Sequence, residues 1–425
     1  MGKTALLTEF ARDRRAIFHT ASGRPRDDEL RLLSLAARDV VGTGVRDLSE
    51  RPFTDWADAL ETLAGAADDE PLLVVLDEFP ELVRISPELE STLRAVWDRI
   101  RTRTKLRVFL SGSAVRTMQA IQEERSPLYG RIDLVLHLRP FEPHEAAKML
   151  PRLRPSDRAL VWSIVGGTPL YLEWWDDGRS VRDNVRRLVC APAGLLLHAG
   201  ELALATDLDT GGLARQIVFA IGAGRTKHNE IADAVRAEPA RALDQLIELG
   251  VIERIAPVTE DPRRTRRRRY RIGDNFLAFW LGVVDRYRAD IERGLGESIL
   301  PVLLDDLDDF AGPRWEEAFR AHLRRRADAG EIASRIVAIG PYWNVAQPPV
   351  EIDAVALAGR SRTAVLAGEA KWARSVDGAR LRRDLERKAE ALPNRADDLR
   401  FALCARERIE DSGDALTVTA ADIFG

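Results

Sequence analysis

The stretch Pro71–Leu82 reads "PLLVVLDEFPEL". Leu72 to Leu76 form an aliphatic run without the period-2 alternation of a half-exposed strand, so it reads as a strand buried on both faces. The run ends on a carboxylate pair, Asp77 and Glu78. The bland reading is a buried strand whose acids simply meet solvent at its end. Five aliphatic residues leading into two adjacent acids favour instead a site built at the strand's C-terminal end.

Working outward, three more runs share this character: "RAIFHTAS" (15–22), "LRVFLSGS" (106–113) and "DLVLHLRPF" (133–141). Helical segments such as 87–103 lie between them. Alternating buried strands and helices predict a parallel α/β sheet over residues 1–140. Residues 141–208 turn helical, with Gly166-Gly167 stopping one helix. Residues 209–275 read as helices near 211–222, 227–235 and 238–249, then a strand pair around a charged loop. That order suggests a winged helix-turn-helix. Residues 276–311 read as a helical linker ending in the acidic "DDLDDF" (305–310). Residues 312–425 form a second α/β unit: a helix, strands around "EIDAVAL" and "TAVLAGEAKW", a charged helix at 378–392 and a strand at "LRFALCA".

The bulk properties bound the function. A chain of 425 residues exceeds one ordinary core. Its formal net charge of −4 gives no global basic field, so any nucleic-acid surface must be local. The 2 cysteines, Cys190 and Cys404, match no metal spacing and suit a reducing, cytosolic setting. No run reaches the roughly 18 apolar residues of a membrane span, and no basic-then-apolar leader is evident. A cytoplasmic protein without a membrane partner is expected.

The chain opens with "MGKTALLTEF". Gly2, Lys3 and Thr4 match the end of the phosphate-binding loop G-x-x-x-x-G-K-[ST]. There, backbone N–H groups wrap the phosphates, Lys reaches them and Thr holds Mg²⁺. The helix opened by Thr4 would add its N-terminal dipole. Alone, "GKT" arises readily by chance. With it, Asp77 would hold Mg²⁺ and Glu78 would polarise the attacking water. Ser111 or Ser113, about thirty residues on, would contact the γ-phosphate or that water.

In order and spacing these segments resemble an archaeal-type P-loop ATPase related to the AAA and STAND ATPases. The resemblance covers residues 1 to about 275 and is carried by "GKTALLTEF", "LLVVLDEFPEL", "FLSGSAVRTM", "SPLYGRI", "LRPF" and "GGTPLYL". It implies ATP and Mg²⁺ as cofactors, and it leaves open an oligomer. It makes Arg131 of "SPLYGRI" an arginine finger or phosphate sensor; a surface ion pair is the equal alternative. The family has an apolar strand and a full loop before Gly-Lys-Thr. The loop's first Gly would fall four residues before Met1. Without that strand two sheet edges would be exposed. The expectation is a start upstream of Met1.

A second constellation lies in 312–425. Asp353, Glu369 and Lys371 give D-x₁₅-E-x-K. Residues two apart on a strand share a face, so Glu369 and Lys371 point together, and Asp353 can come from the neighbouring strand. The carboxylates would bind Mg²⁺ or Mn²⁺, with Glu316 as a further ligand. Lys371 would orient water or stabilise charge on a scissile phosphate. E-x-K is common on solvent-facing strands. Here the order of helix, strand, strand and helix resembles the PD-(D/E)XK nuclease-like domain that often follows this ATPase type.

Between the two, "DPRRTRRRRY" places Arg263, Arg264, Arg266, Arg267, Arg268 and Arg269 in the charged loop. They could grip a DNA backbone. The alternative is a solvated wing, or one docked on the acids at 305–309. The expected whole is a multidomain α/β protein: a P-loop ATPase sheet with a helical lid, a winged helix, and a restriction-endonuclease-like domain. ATP binding would be coupled to DNA binding and to metal-dependent cleavage. The alternatives are a regulator that binds without cutting and a STAND-like scaffold.

Overall fold

The computed structural model describes residues 2–42, 46–67, 70–207 and 212–425. It falls into two compact units, Met1–Arg139 and Pro140–Gly425. The expected boundary at 208/209 lies outside the described residues.

In the first unit, β1 (Ala16–Thr20), β2 (Leu72–Asp77) and β3 (Leu106–Leu110) form a parallel sheet in the order β1-β2-β3. Parallel neighbours need crossovers. The Arg26–Val41 and Trp56–Gly65 helices link β1 to β2, and Phe79–Ile85 and Leu89–Ile100 link β2 to β3. The first of these buries Leu30, Leu33, Ala37 and Val41, one face at helical spacing. Asp55 caps the second by accepting from the Asp58 N–H. Every residue of central β2 is buried, and each of its aliphatic side chains contributes roughly 1.5–3 kcal/mol.

The expected strand at 133–141 does not form. These residues join no ladder, and Leu134 and Leu136 are 70% and 68% exposed. A strand requires a neighbour to take its N–H and C=O groups. Among the described residues, β3 pairs with β2 alone. Among the described residues no strand lies beyond it to bridge to 133–141, and the run stays unpaired with its leucines open.

In the second unit, helices fill 143–207. Gly166, at φ 68°, stops the Pro155–Val165 helix because a left-handed residue suits glycine. The Gly212–Gly222, His228–Val235 and Ala240–Glu248 helices precede an antiparallel hairpin, β4 (Ile252–Ile255) and β5 (Arg269–Ile272). The acidic run at 305–310 is helical, at the junction of the Gly296–Asp305 and Leu307–Asp328 helices.

A five-stranded sheet follows, built from β6 (Ile336–Trp343), β7 (Glu351–Ala358), β8 (Thr363–Ala370), β10 (Arg395–Cys404) and β12 (Leu416–Val418). Its order is β12-β10-β8-β7-β6, antiparallel through β6, β7 and β8 and parallel from β8 to β10 and β12. A small parallel ladder joins β9 (Ser375–Asp377) to β11 (Arg408–Glu410). Ala354 and Ala356 pack in a core with Trp315 and Phe319 of the Leu307–Asp328 helix. Val355 and Leu357 pack in another with Leu385 and Ala389 of the Gly378–Ala389 helix. The sheet is therefore covered by a helix on each face. Gly368 permits the first covering: a Cβ there would sit 2.8 Å from Phe319 Cε1.

Candidate functional site

In the first unit, Gly2 caps the Lys3–Ala11 helix in a left-handed conformation, φ 73°. Thr4 Oγ1 donates to Asp77 Oδ2 at 2.8 Å. The Gly-Lys-Thr hydroxyl and the carboxylate ending β2 thus meet across 73 residues of sequence. Asp77 is buried.

Glu78 holds φ 51°, an uncommon conformation for a side-chain-bearing residue. It turns the chain from β2 into the Phe79–Ile85 helix, and Ser113 Oγ donates to its Oε2 at 2.8 Å. Of the two sensor candidates, Ser113 therefore contacts Glu78. Ser111 is buried, its carbonyl accepts from the Phe79 N–H at 2.8 Å, and its Oγ has no partner. Gly112 between them lies against Pro80, whose Cδ would be 2.5 Å from any Cβ.

Arg131 forms an ion pair with Asp98. Its guanidinium binds Asp98 in a fork, Nε to Oδ1 at 2.9 Å and Nη2 to Oδ2 at 2.7 Å, and Nη1 donates to the Tyr129 carbonyl.

In the second unit, Asp353, Glu369, Glu316 and Lys371 come together. The register Ala354↔Gly368 sets Asp353 on β7 beside Glu369 on β8. Asp353 Oδ2 accepts from the Ala370 N–H at 2.8 Å. Burial, then the nearby Glu316 and Glu369 charges, push the Asp353 carboxyl up to about 7. Burial also raises Glu316; Arg320 opposes this, and Glu351 and Glu369 add to it. Glu369 is only 3% exposed. Lys371 Nζ donates to its Oε1 at 2.8 Å. Burial alone would lower the Lys371 ammonium, but that hydrogen bond and three neighbouring acids hold it above its usual range.

The sequence reading missed three members of this cluster. Lys388, on the Gly378–Ala389 helix, donates to the same Glu369 Oε1 at 2.6 Å. Arg320 donates to the Asp353 carbonyl at 2.6 Å and to Glu317 at 3.1 Å. Glu317 lies among Arg320, Arg271 and Arg324, which draw its carboxyl down to about 2 against the effect of burial. The signal for Lys388 is its spacing, three residues after buried Leu385 and one before buried Ala389. Its many charged neighbours on that helix conceal it.

The six hairpin arginines divide, Arg268 being half-buried. Arg263, Arg264 and Arg266 are exposed. Arg267 pairs with Glu260 and donates to the Trp343 carbonyl. Arg269 pairs with Glu351 at 2.9 Å and lies 4.5 Å over the Trp343 ring. The hairpin thus docks on the five-stranded sheet, and two of the acids at 305–309 are engaged elsewhere. Asp306 pairs with Arg286, and Asp308 accepts from Trp372 Nε1 at 2.7 Å.

The comparisons agree with this architecture. Residues 280–384 match the family model DUF234, described as archaeal and bacterial proteins of unknown function. That span holds Glu316, Asp353, Glu369 and Lys371. The chain is 24% identical over 435 residues to the uncharacterized protein MJECL04 of Methanocaldococcus jannaschii, covering 99% of this chain and 92% of that protein. The Walker-type ATPase PABY2304 of Pyrococcus abyssi aligns with TM-score 0.50 at 18% identity, over 66% of this chain and 87% of that one. The fold is therefore multidomain α/β, with a parallel sheet of Walker-type ATPase kind and a separate C-terminal sheet. No described helix is long and apolar enough to cross a membrane.

Proposed function

We propose that the chain is an ATP-binding P-loop ATPase whose second unit binds DNA and cuts it in a metal-dependent reaction. The ATP reading rests on the Thr4–Asp77 hydrogen bond, which joins the two residue types that share Mg²⁺ in P-loop enzymes. Lys3, one residue before Thr4, would reach the phosphates, and Glu78, held by Ser113, would orient water. The resemblance to the Pyrococcus Walker-type ATPase supports the fold of this reading.

The observation that carries the nuclease reading is the crowding of three acids. Asp353, Glu369 and Glu316 sit where burial and mutual repulsion raise two of them, and Glu369 Oε2 is buried without a partner. Such an oxygen-rich, under-compensated cluster fits Mg²⁺ or Mn²⁺. Asp353, Glu369 and Glu316 would hold the cation. When bound, it neutralises charge on a phosphodiester and acidifies a water. Lys371 stays protonated and half exposed, able to donate to a non-bridging phosphate oxygen. Arg320 keeps Asp353 in place through its carbonyl. The three helices and hairpin of 212–272 act as a winged helix, with Arg263, Arg264 and Arg266 on the DNA backbone.

The test is Mn²⁺-dependent cleavage of plasmid DNA with and without ATP. Glu369→Ala abolishes cleavage while leaving DNA binding. Replacing Arg263, Arg264 and Arg266 weakens binding at all sequences and reduces the salt slope by about one per arginine. Cleavage by Glu369→Ala at the wild-type rate would refute the assignment. Docking of Arg267 and Arg269 favours a second reading, a regulator that binds without cutting; wild type that binds DNA and never cleaves it selects that reading.

A further inference from the structure

Lys388 has no place in the D-x₁₅-E-x-K pattern, yet it makes the shortest contact to Glu369. Two ammonium groups reach one carboxylate oxygen, Lys371 at 2.8 Å and Lys388 at 2.6 Å. The other oxygen, Oε2, is buried and unpartnered. Glu369 cannot lose both cations while it remains buried, because an uncompensated buried charge is strongly unfavourable. It can lose one, and the two lysines differ in which is free to go. Lys371 is 47% exposed and sits just past the end of β8. Lys388 is 32% exposed and is bracketed by Leu385 and Ala389, both fully buried. Its helix is packed against the face that carries Leu385's core partners on β8, Ala364 and Ala367. Glu369 lies two residues beyond Ala367 and shares that face.

We infer that Lys388 is the positioning residue of the site: it holds Oε1 of Glu369 so that Oε2 faces the divalent cation, and so releases Lys371 for the phosphate. This rests on the metal-dependent reading above. It divides two like residues into separate tasks: Lys388 sets cation affinity, and Lys371 sets turnover.

The experiment titrates Mn²⁺ into the full chain without DNA, following free Mn²⁺ by electron paramagnetic resonance, and measures cleavage separately. Lys388→Met and Lys388→Gln are both used, each with a metal-free thermal melt, so that misfolding of one does not end the test. Both should weaken Mn²⁺ binding roughly 10–100-fold, the usual cost of removing a group that orients a metal ligand. Lys388→Arg, which keeps a charged donor, should stay within about threefold of wild type. Lys371→Met should bind Mn²⁺ within about threefold of wild type and lose cleavage. Folded Lys388 variants that bind Mn²⁺ as tightly as wild type, or more tightly, would overturn the positioning role. Equal loss of affinity in the Lys371 and Lys388 variants would overturn the division of tasks. Wild type that binds no Mn²⁺ would bring down the metal reading together with this one.

Discussion

Asp353→Asn should stabilise the metal-free protein at alkaline pH. The wild-type carboxyl is raised from 3.8 to about 7, by burial first and then by Glu316 and Glu369. The sign follows from proton counting. Between pH 3.8 and about 7 the folded state keeps a proton that the unfolded state has lost, so stability falls as pH rises through this window. Above it the full penalty applies. About three pK units at 1.36 kcal/mol each is on the order of 4 kcal/mol. At pH 5 it is roughly 2 kcal/mol. Asparagine does not titrate, and its side-chain oxygen can still accept from the Ala370 N–H. The variant should therefore be more stable than wild type by about 2 kcal/mol at pH 5 and about 4 kcal/mol at pH 8. The assay is urea unfolding in EDTA, read by tryptophan fluorescence. With a slope near 3 kcal/mol/M the midpoint should rise by about 1 M at pH 8. A variant no more stable than wild type at pH 8, or a gap equal at both pH values, would show that the acids are not crowded as described. Mn²⁺ binding should be lost in the same variant, because the residue that limits stability is the one proposed to hold the cation.

Glu317→Gln should act in the opposite direction. Its carboxyl is held at about 2 by Arg320, Arg271 and Arg324. The variant should lose roughly 3 kcal/mol at pH 7, and that gap should close as pH falls from 4.5 toward 2, again by urea unfolding. Gly112→Ala should lower the thermal midpoint at a cost of about 1–3 kcal/mol, because the new Cβ would lie 2.5 Å from Pro80 Cδ; an unchanged melt would mean that the Phe79–Ile85 helix gives way freely.

The parallel sheet was legible because a strand buried on both faces leaves a continuous aliphatic run, as at Leu72–Leu76. The same reasoning failed at 133–141. There Leu134, Val135, Leu136 and Leu138 give a similar aliphatic signal, but a strand is a property of a pair, and pattern alone does not reveal whether a neighbour is there. Asp353, Glu369 and Lys371 were legible because strand period 2 and adjacent strands suffice to bring them together. Lys388 and Arg320 were not. Their positions depend on which helix turn faces the sheet, and on highly charged helices the functional lysine or arginine has no compositional mark. The docked arginines Arg267 and Arg269 were hidden for a related reason: a basic run shows charge, while Trp343 and Glu351, which receive it, lie more than seventy residues away.

The attachment of the hairpin has a geometric consequence. The Val258 N–H donates to the Pro341 carbonyl, Arg362 donates to the Val258 carbonyl, and Arg271 pairs with Glu317 at 3.1 Å on the helix that carries Glu316. The hairpin that carries the exposed arginines is thus joined by direct contacts to the sheet and helix that carry the acid–lysine cluster. On the proposed nuclease reading, a duplex held by the arginines would meet the cluster at an offset set by these contacts. The hairpin would then work as a gauge, and fragments would end at a set number of base pairs from the gripped segment, whatever their sequence.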